Sequence, residues 1–140
     1  SRRVLPSGEQ RMDIYRRIAA LRTAEQSQEL LDELIDRYGE PPQPVLKLMD
    51  VALLRAEAAQ TGICDISQRG SEITFTFAAS EAVPVALCSL PKNRRRLTLS
   101  ATGAGPKLLL RLAPNEDALE SALTLVGDLR VNKEENEKKR

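Results

Sequence analysis

The chain predicts an α+β fold: an N-terminal three-helix segment packed with a small, mainly antiparallel four-stranded sheet in the order ββαββα, the last element being a C-terminal helix. Two observations carry this. The apolar residues repeat with helical spacing up to Ala59, and after Gly62 the period changes to the alternation of strands. A third, two capping patterns in close succession and three prolines, divides the helical part into separate helices.

Ser7 followed by Gln10 resembles a capping box, and Ile14, Ile18 and Leu21, joined by Met12 and Tyr15, continue with helical spacing. The first helix is expected from about Gly8 to Leu21. Thr23 and Gln26 repeat the cap at once, so a second helix follows after a tight link and stops near Tyr38, with Gly39 as its C-terminal cap. Pro41, Pro42 and Pro44 stiffen the next connection, and Pro44 suits the first turn of a third helix, where its missing N–H is no loss. Val45, Leu48, Met49, Ala52, Ala56 and Ala59 mark one face of that helix, widened by Leu46, Val51 and Leu53.

Ile63–Ile66, a turn at 68–71, and Ile73, Phe75 and Phe77 alternating with Thr74 and Thr76 read as a β-hairpin. Ser80 opens a short helix over Val83 to Leu90, with Pro84 in its first turn and Pro91 at its end. Leu97 and Leu99, alternating with Arg94, Arg96 and Thr98, then a reversal at 102–106, then Leu108, Leu110 and Leu112, make two further strands. Asn115 is the expected cap of the last helix, with Glu116 and Asp117 in its acidic first turn and Leu119, Ala122, Leu123 and Val126 on its stripe. Apolar residues vanish after Val131. The expectation is one domain over 1–131 and a disordered charged tail over 132–140.

Composition narrows the function. A length of 140 residues suits one domain. The apolar runs are far too short to cross a bilayer, so no membrane role is expected. The first residues hold neither an initiator Met nor a signal-peptide stretch, and the chain is expected to be a piece of a longer polypeptide. A net charge of +1 gives no overall field toward nucleic acid. Locally, Arg11, Arg16, Arg17 and Arg22 make the first helix basic, while Glu25, Glu29, Asp32, Glu33 and Asp36 make the second acidic, so the two should attract.

The chain has no histidine, which excludes Ser-His-Asp and Cys-His catalysis and any mixed Cys/His zinc site. Cys64 and Cys88 are read as buried or half-buried free thiols. The stretch 102–108 lacks the spacing of a phosphate loop and leads into a strand, so it is a hairpin turn. No catalytic, metal or cofactor site is expected. Arg94, Arg95 and Arg96, near Lys92, are the candidate contact with nucleic-acid phosphate, although aromatics for base stacking make up only 3% of the chain. The more specific candidate is Glu33, Asp36 and Arg37, three and four residues apart on one side of the second helix, with Leu30, Leu31, Leu34, Ile35 and Tyr38 opposite. That segregation leaves the charged trio for a partner.

The run Arg11-Met-Asp-Ile-Tyr15-Arg16-Arg17-Ile18, then Glu33-Leu-Ile-Asp-Arg-Tyr-Gly39 with Pro42 and Pro44, then Val51-Ala-Leu-Leu-Arg55 and Gly62-Ile63, resembles the C-terminal domain of bacterial transcription-repair coupling factor. The likeness covers about the first half of the chain. It implies a bacterial, cytoplasmic, multidomain parent: an ATP-driven double-stranded-DNA translocase, with ATP and Mg in a motor this piece lacks, that displaces stalled RNA polymerase and recruits nucleotide excision repair. It further implies a non-catalytic module that packs on the UvrB-like N-terminal region, masks the surface that binds UvrA and keeps the motor repressed. Glu33, Asp36 and Arg37 match the charged positions of that contact, and Tyr38 stands where an aromatic residue is expected. The alternative is a DNA-binding accessory domain using Arg94 to Arg96.

Overall fold

The computed structural model describes residues 5–79, 81, 85–88, 90–100 and 105–139. Its elements run α1 (Gly8–Ala19), α2 (Ala24–Tyr38), α3 (Gln43–Gln60), β1 (Ile63–Arg69), β2 (Glu72–Phe77), α4 (Val85–Cys88), β3 (Leu97–Ser100), β4 (Lys107–Arg111) and α5 (Ala118–Lys138), an α+β arrangement. The chain forms two compact units, Ser1–Ala56 and Glu57–Arg140, with the division inside α3.

In the first unit the local signals hold. Ser7 and Gln10 form a full capping box on α1. The Thr23 side chain accepts from the Gln26 N–H at 3.1 Å and caps α2. Between the helices, Arg22 donates to the carbonyl of Ala19, at the end of α1, and to that of Leu21 in the link. Gly39 closes α2 at φ 83°, ψ −176°, a region open in practice only to glycine. The Pro42 carbonyl then accepts from Val45 and Leu46 and starts α3. Ile18, Leu21, Leu30, Leu34 and Met49 form the buried core, with Ile14, Leu31, Tyr38, Val45 and Ala52 packed against it. The apolar sectors are wider than this core uses, so Met12, Tyr15, Ile35, Leu48 and Val51 stay exposed.

In the second unit the strands form one antiparallel sheet in the order β1-β2-β4-β3. Alternation selects the buried side chains: Ile73, Phe75 and Phe77 on β2, Leu108 and Leu110 on β4. Phe75 stands opposite Leu108, which in turn faces Leu99 of β3. On α5, Ala122, Leu125, Val126 and Leu129 are buried at helical spacing. Gly62, at φ 78°, turns the chain from α3 into β1, and the Glu81 side chain lies where a Cβ there would stand.

Four expectations are corrected. β3 starts at Leu97, and residues 91–96 are turns because the Asn93 carbonyl accepts from both Arg96 and Leu97; Arg94 and Arg96 are therefore not on a strand. Asn115 takes φ 68° and does not cap α5; Asp117 does, accepting from Glu120. α5 runs on to Lys138 where a disordered tail was expected, since extending a formed helix costs little and Arg130–Glu134 pair at i,i+4, 3.0 Å apart, while Lys133 reaches the Gln60 carbonyl and Glu81. Cys64 is exposed, not buried; Cys88 is half-buried, and both are free thiols. Ser80, residues 82–84 and 89 of the expected short helix, and 101–104 of the expected reversal lie outside the described residues.

Candidate interaction surface

The acidic α2 does attract the basic α1, through one specific pair. The Arg17 guanidinium meets the Glu33 carboxylate with both nitrogens, Nη1 to Oε2 and Nη2 to Oε1 at 3.1 Å, the two side chains each 40% exposed. A two-pronged pair of this kind fixes orientation as well as charge. Arg37, one turn further along α2, adds a second cation 3.6 Å from Glu33 Oε2. Its guanidinium also lies 5.1 Å from the centre of the Tyr38 ring, within cation–π range. The hydrogen bond from Arg17 holds the Glu33 carboxyl below its ordinary range, and the same bond raises Arg17.

The expectation that Glu33, Asp36 and Arg37 are left free for a partner is thus corrected for Glu33, which ties α2 to α1 through Arg17, and for Arg37, which pairs with Glu33. Asp36 is exposed and has no ion pair among the described residues, and Arg37 remains half-exposed. The composition of the two helices gave the sign of the attraction. Which arginine would be the partner depends on how the helices face each other, and local spacing does not contain that.

Beside this ridge lies a groove of about 320 Å³ that the sequence did not announce, walled by Ile14 and Tyr15 of α1, Leu34 and Tyr38 of α2, and Pro41 and Val45 beyond. Its lining is mostly apolar, with Arg11 and Glu40 as its charged members. The Tyr38 hydroxyl is buried and has no hydrogen-bond partner.

The arginine cluster is divided. Arg96 pairs with Glu116, and Lys92 lies 3.5 Å from Asp128. Glu116 also accepts from the Ala113 N–H at 2.8 Å and from Ser121 Oγ at 2.9 Å; the backbone bond first, then the Ser121 and Arg96 bonds, lower its carboxyl pKa. Only Arg94 and Arg95 remain exposed without ion pairs among the described residues, which weakens the case for a phosphate-binding patch.

Among the described residues no group of three or more Cys, Asp or Glu could hold a metal ion, and no helix is long and apolar enough to cross a membrane. Burial pushes the Cys88 thiol up, away from the reactive thiolate.

Known proteins resemble this chain in the same terms. Transcription-repair-coupling factor of Escherichia coli (strain K12) is 37% identical over 73 residues, 51% of this chain and 6% of that protein. The factor of Bacillus subtilis (strain 168) is 31% identical over 81 residues, 58% of this chain and 7% of its own length. This chain therefore spans only a small fraction of those relatives. A crystal structure of the C-terminal domain of transcription-repair coupling factor superposes with a TM-score of 0.70, covering 92% of this chain and 84% of that one at 20% identity, and so shares the fold. The family model described as TRCF domain matches residues 2–87, more than half of the sequence, and the chain belongs to that family.

Proposed function

We propose that this domain is a regulatory interaction module, without catalysis or cofactor of its own, of a cytoplasmic transcription-repair coupling factor. In this reading the parent is an ATP- and Mg-dependent translocase on double-stranded DNA that displaces stalled RNA polymerase and recruits excision repair. The domain closes onto the UvrB-like N-terminal region of the same protein, covers the surface for UvrA and restrains the motor. Membership of the TRCF domain family is the observation that supports it most.

The surface suits such a latch. Asp36 and Arg37 are the contact residues, and Glu33, held by Arg17, sets where Arg37 stands. Exposed polar contacts contribute little each and would not hold two separate molecules together. Within one chain the partner acts at an effective concentration reaching the millimolar range, so a weak contact stays closed until polymerase or DNA favours the open form.

The test is the pair of reversals Asp36→Arg and Arg37→Glu together in the full-length parent, which leaves Arg17–Glu33 in place. ATPase rate and UvrA binding should both rise. If both stay at their original values, the latch is wrong.

A further inference from the structure

We infer that the free edge of β1 is a self-association site: two copies of this chain join their sheets by antiparallel pairing of residues 65–69, with Ser67 of one copy opposite Ser67 of the other. The inference does not rest on the latch, whose residues belong to the first unit.

The ladder decides which backbone groups are free. β1 is an outer strand of the sheet. The Phe77 N–H donates to the Pro106 carbonyl at 2.9 Å, so the backbones of Phe77, Phe75 and Ile73 turn toward β4, and those of the alternate residues Thr76, Thr74 and Glu72 toward β1. Their partners there are Asp65, Ser67 and Arg69. The N–H and C=O groups of Ile66 and Gln68 therefore point away from the sheet, with no partner among the described residues. Such groups are a template for another strand.

The edge selects a second copy as that strand. The register slips between Ile63 and Asp65, so the regular stretch of β1 is Asp65–Arg69, with Ser67 at its centre. Full antiparallel overlap of two such stretches puts Ser67 on a twofold axis and sets Ile66 opposite the second copy's Gln68, and the reverse. These are the residues whose groups point outward, so both pairs close their backbone hydrogen bonds. The same overlap sets Asp65 opposite the second copy's Arg69, again twice. Both residues are exposed and have no ion pair among the described residues. A shift of two residues either way leaves each charge facing an uncharged residue, and parallel pairing in register sets like charges side by side. Charges on an edge ordinarily protect it from pairing; here they admit one register.

An interface of one strand is small, so a dissociation constant of about 0.1–1 mM is expected, read by sedimentation velocity on the whole chain. Asp65→Arg and Arg69→Asp should each weaken dimerisation about tenfold, because the twofold axis makes each reversal spoil two pairs; combined in one chain they should restore it. Gln68→Pro removes an N–H that β2 does not use, so it should abolish dimerisation while the circular dichroism spectrum stays unchanged. In a Cys64→Ser background, Ser67→Cys should give a disulfide-linked dimer under oxidised glutathione, since residues facing each other in a pair of this kind lie about 4.5 Å apart at Cα, within disulfide reach. A chain still monomeric at about 1 mM overturns the inference and leaves the edge to a different strand. So does dimerisation that ignores either reversal, that the combined change fails to restore, or that survives Gln68→Pro. A Ser67→Cys variant no more cross-linked than its Cys64→Ser parent overturns it as well.

Discussion

Tyr38→Phe should make the free domain more stable, although it deletes a polar group from a site where most substitutions do harm. In the unfolded chain the Tyr38 hydroxyl is hydrogen-bonded to water; in the fold it is buried with no partner. Leaving a buried donor unmet costs about 1–3 kcal/mol, and Phe avoids that loss while keeping the ring that packs against the core of the first unit. The contact with Arg37, 5.1 Å from the ring centre, depends on the ring face and survives the change. A small gap where the oxygen stood returns part of the gain, which leaves about 1–2 kcal/mol. For a chain of this length each kcal/mol moves the melting temperature by roughly 3–5 °C. The assay is thermal and urea unfolding followed by circular dichroism, with Tyr15→Phe as control. Tyr15 is half-exposed, so its change should stay within about 0.5 kcal/mol. A Tyr38→Phe variant that melts at or below the original temperature would refute the reasoning, because the hydroxyl would then have a partner in solution.

Leu108→Ala should destabilise the second unit by about 2–5 kcal/mol in urea unfolding, since Leu108 is fully buried opposite Phe75 and Leu99 and the sheet cannot collapse around the gap. Gly39→Ala should cost about 1–3 kcal/mol in the same measurement, because its backbone conformation at the end of α2 excludes a Cβ. The carboxyls of Glu33 and Glu116 both titrate lower in the fold than in the unfolded chain. Their stabilisation is therefore complete above the unfolded value of about 4.3 and is lost as pH falls through the lower folded values. Arg17→Met should flatten the acid limb of stability against pH and leave the neutral-to-basic limb parallel to the original; two parallel acid limbs would remove the role given to Arg17.

Where a feature depends on neighbours in sequence, the residues announce it. Ser7 with Gln10, Thr23 with Gln26, and Gly39 before the prolines are local hydrogen-bonding or dihedral requirements, and α1 and α2 begin and end close to where those residues place them. The change of period at Gly62 separates helices from strands for the same reason: the side-chain repeat belongs to the backbone geometry of each element. The family was likewise readable, because its motifs sit in these local segments.

What local spacing leaves open is which distant groups meet, and there the fold makes the choice. Arg94 to Arg96 looked like one basic patch, but Glu116 takes Arg96 and Asp128 takes Lys92 across gaps of 20 and 36 residues. Glu33 looked available, yet the packing of the helices sets it against Arg17, 16 positions earlier. The groove and the orphaned Tyr38 hydroxyl belong to no short motif, since two stretches distant in sequence, 5–15 and 34–45, have to converge to form the groove. Charge and periodicity act along the chain, whereas pairing and concavity arise only when remote segments pack, and the remaining interaction chemistry of this domain is what that packing leaves unpaired.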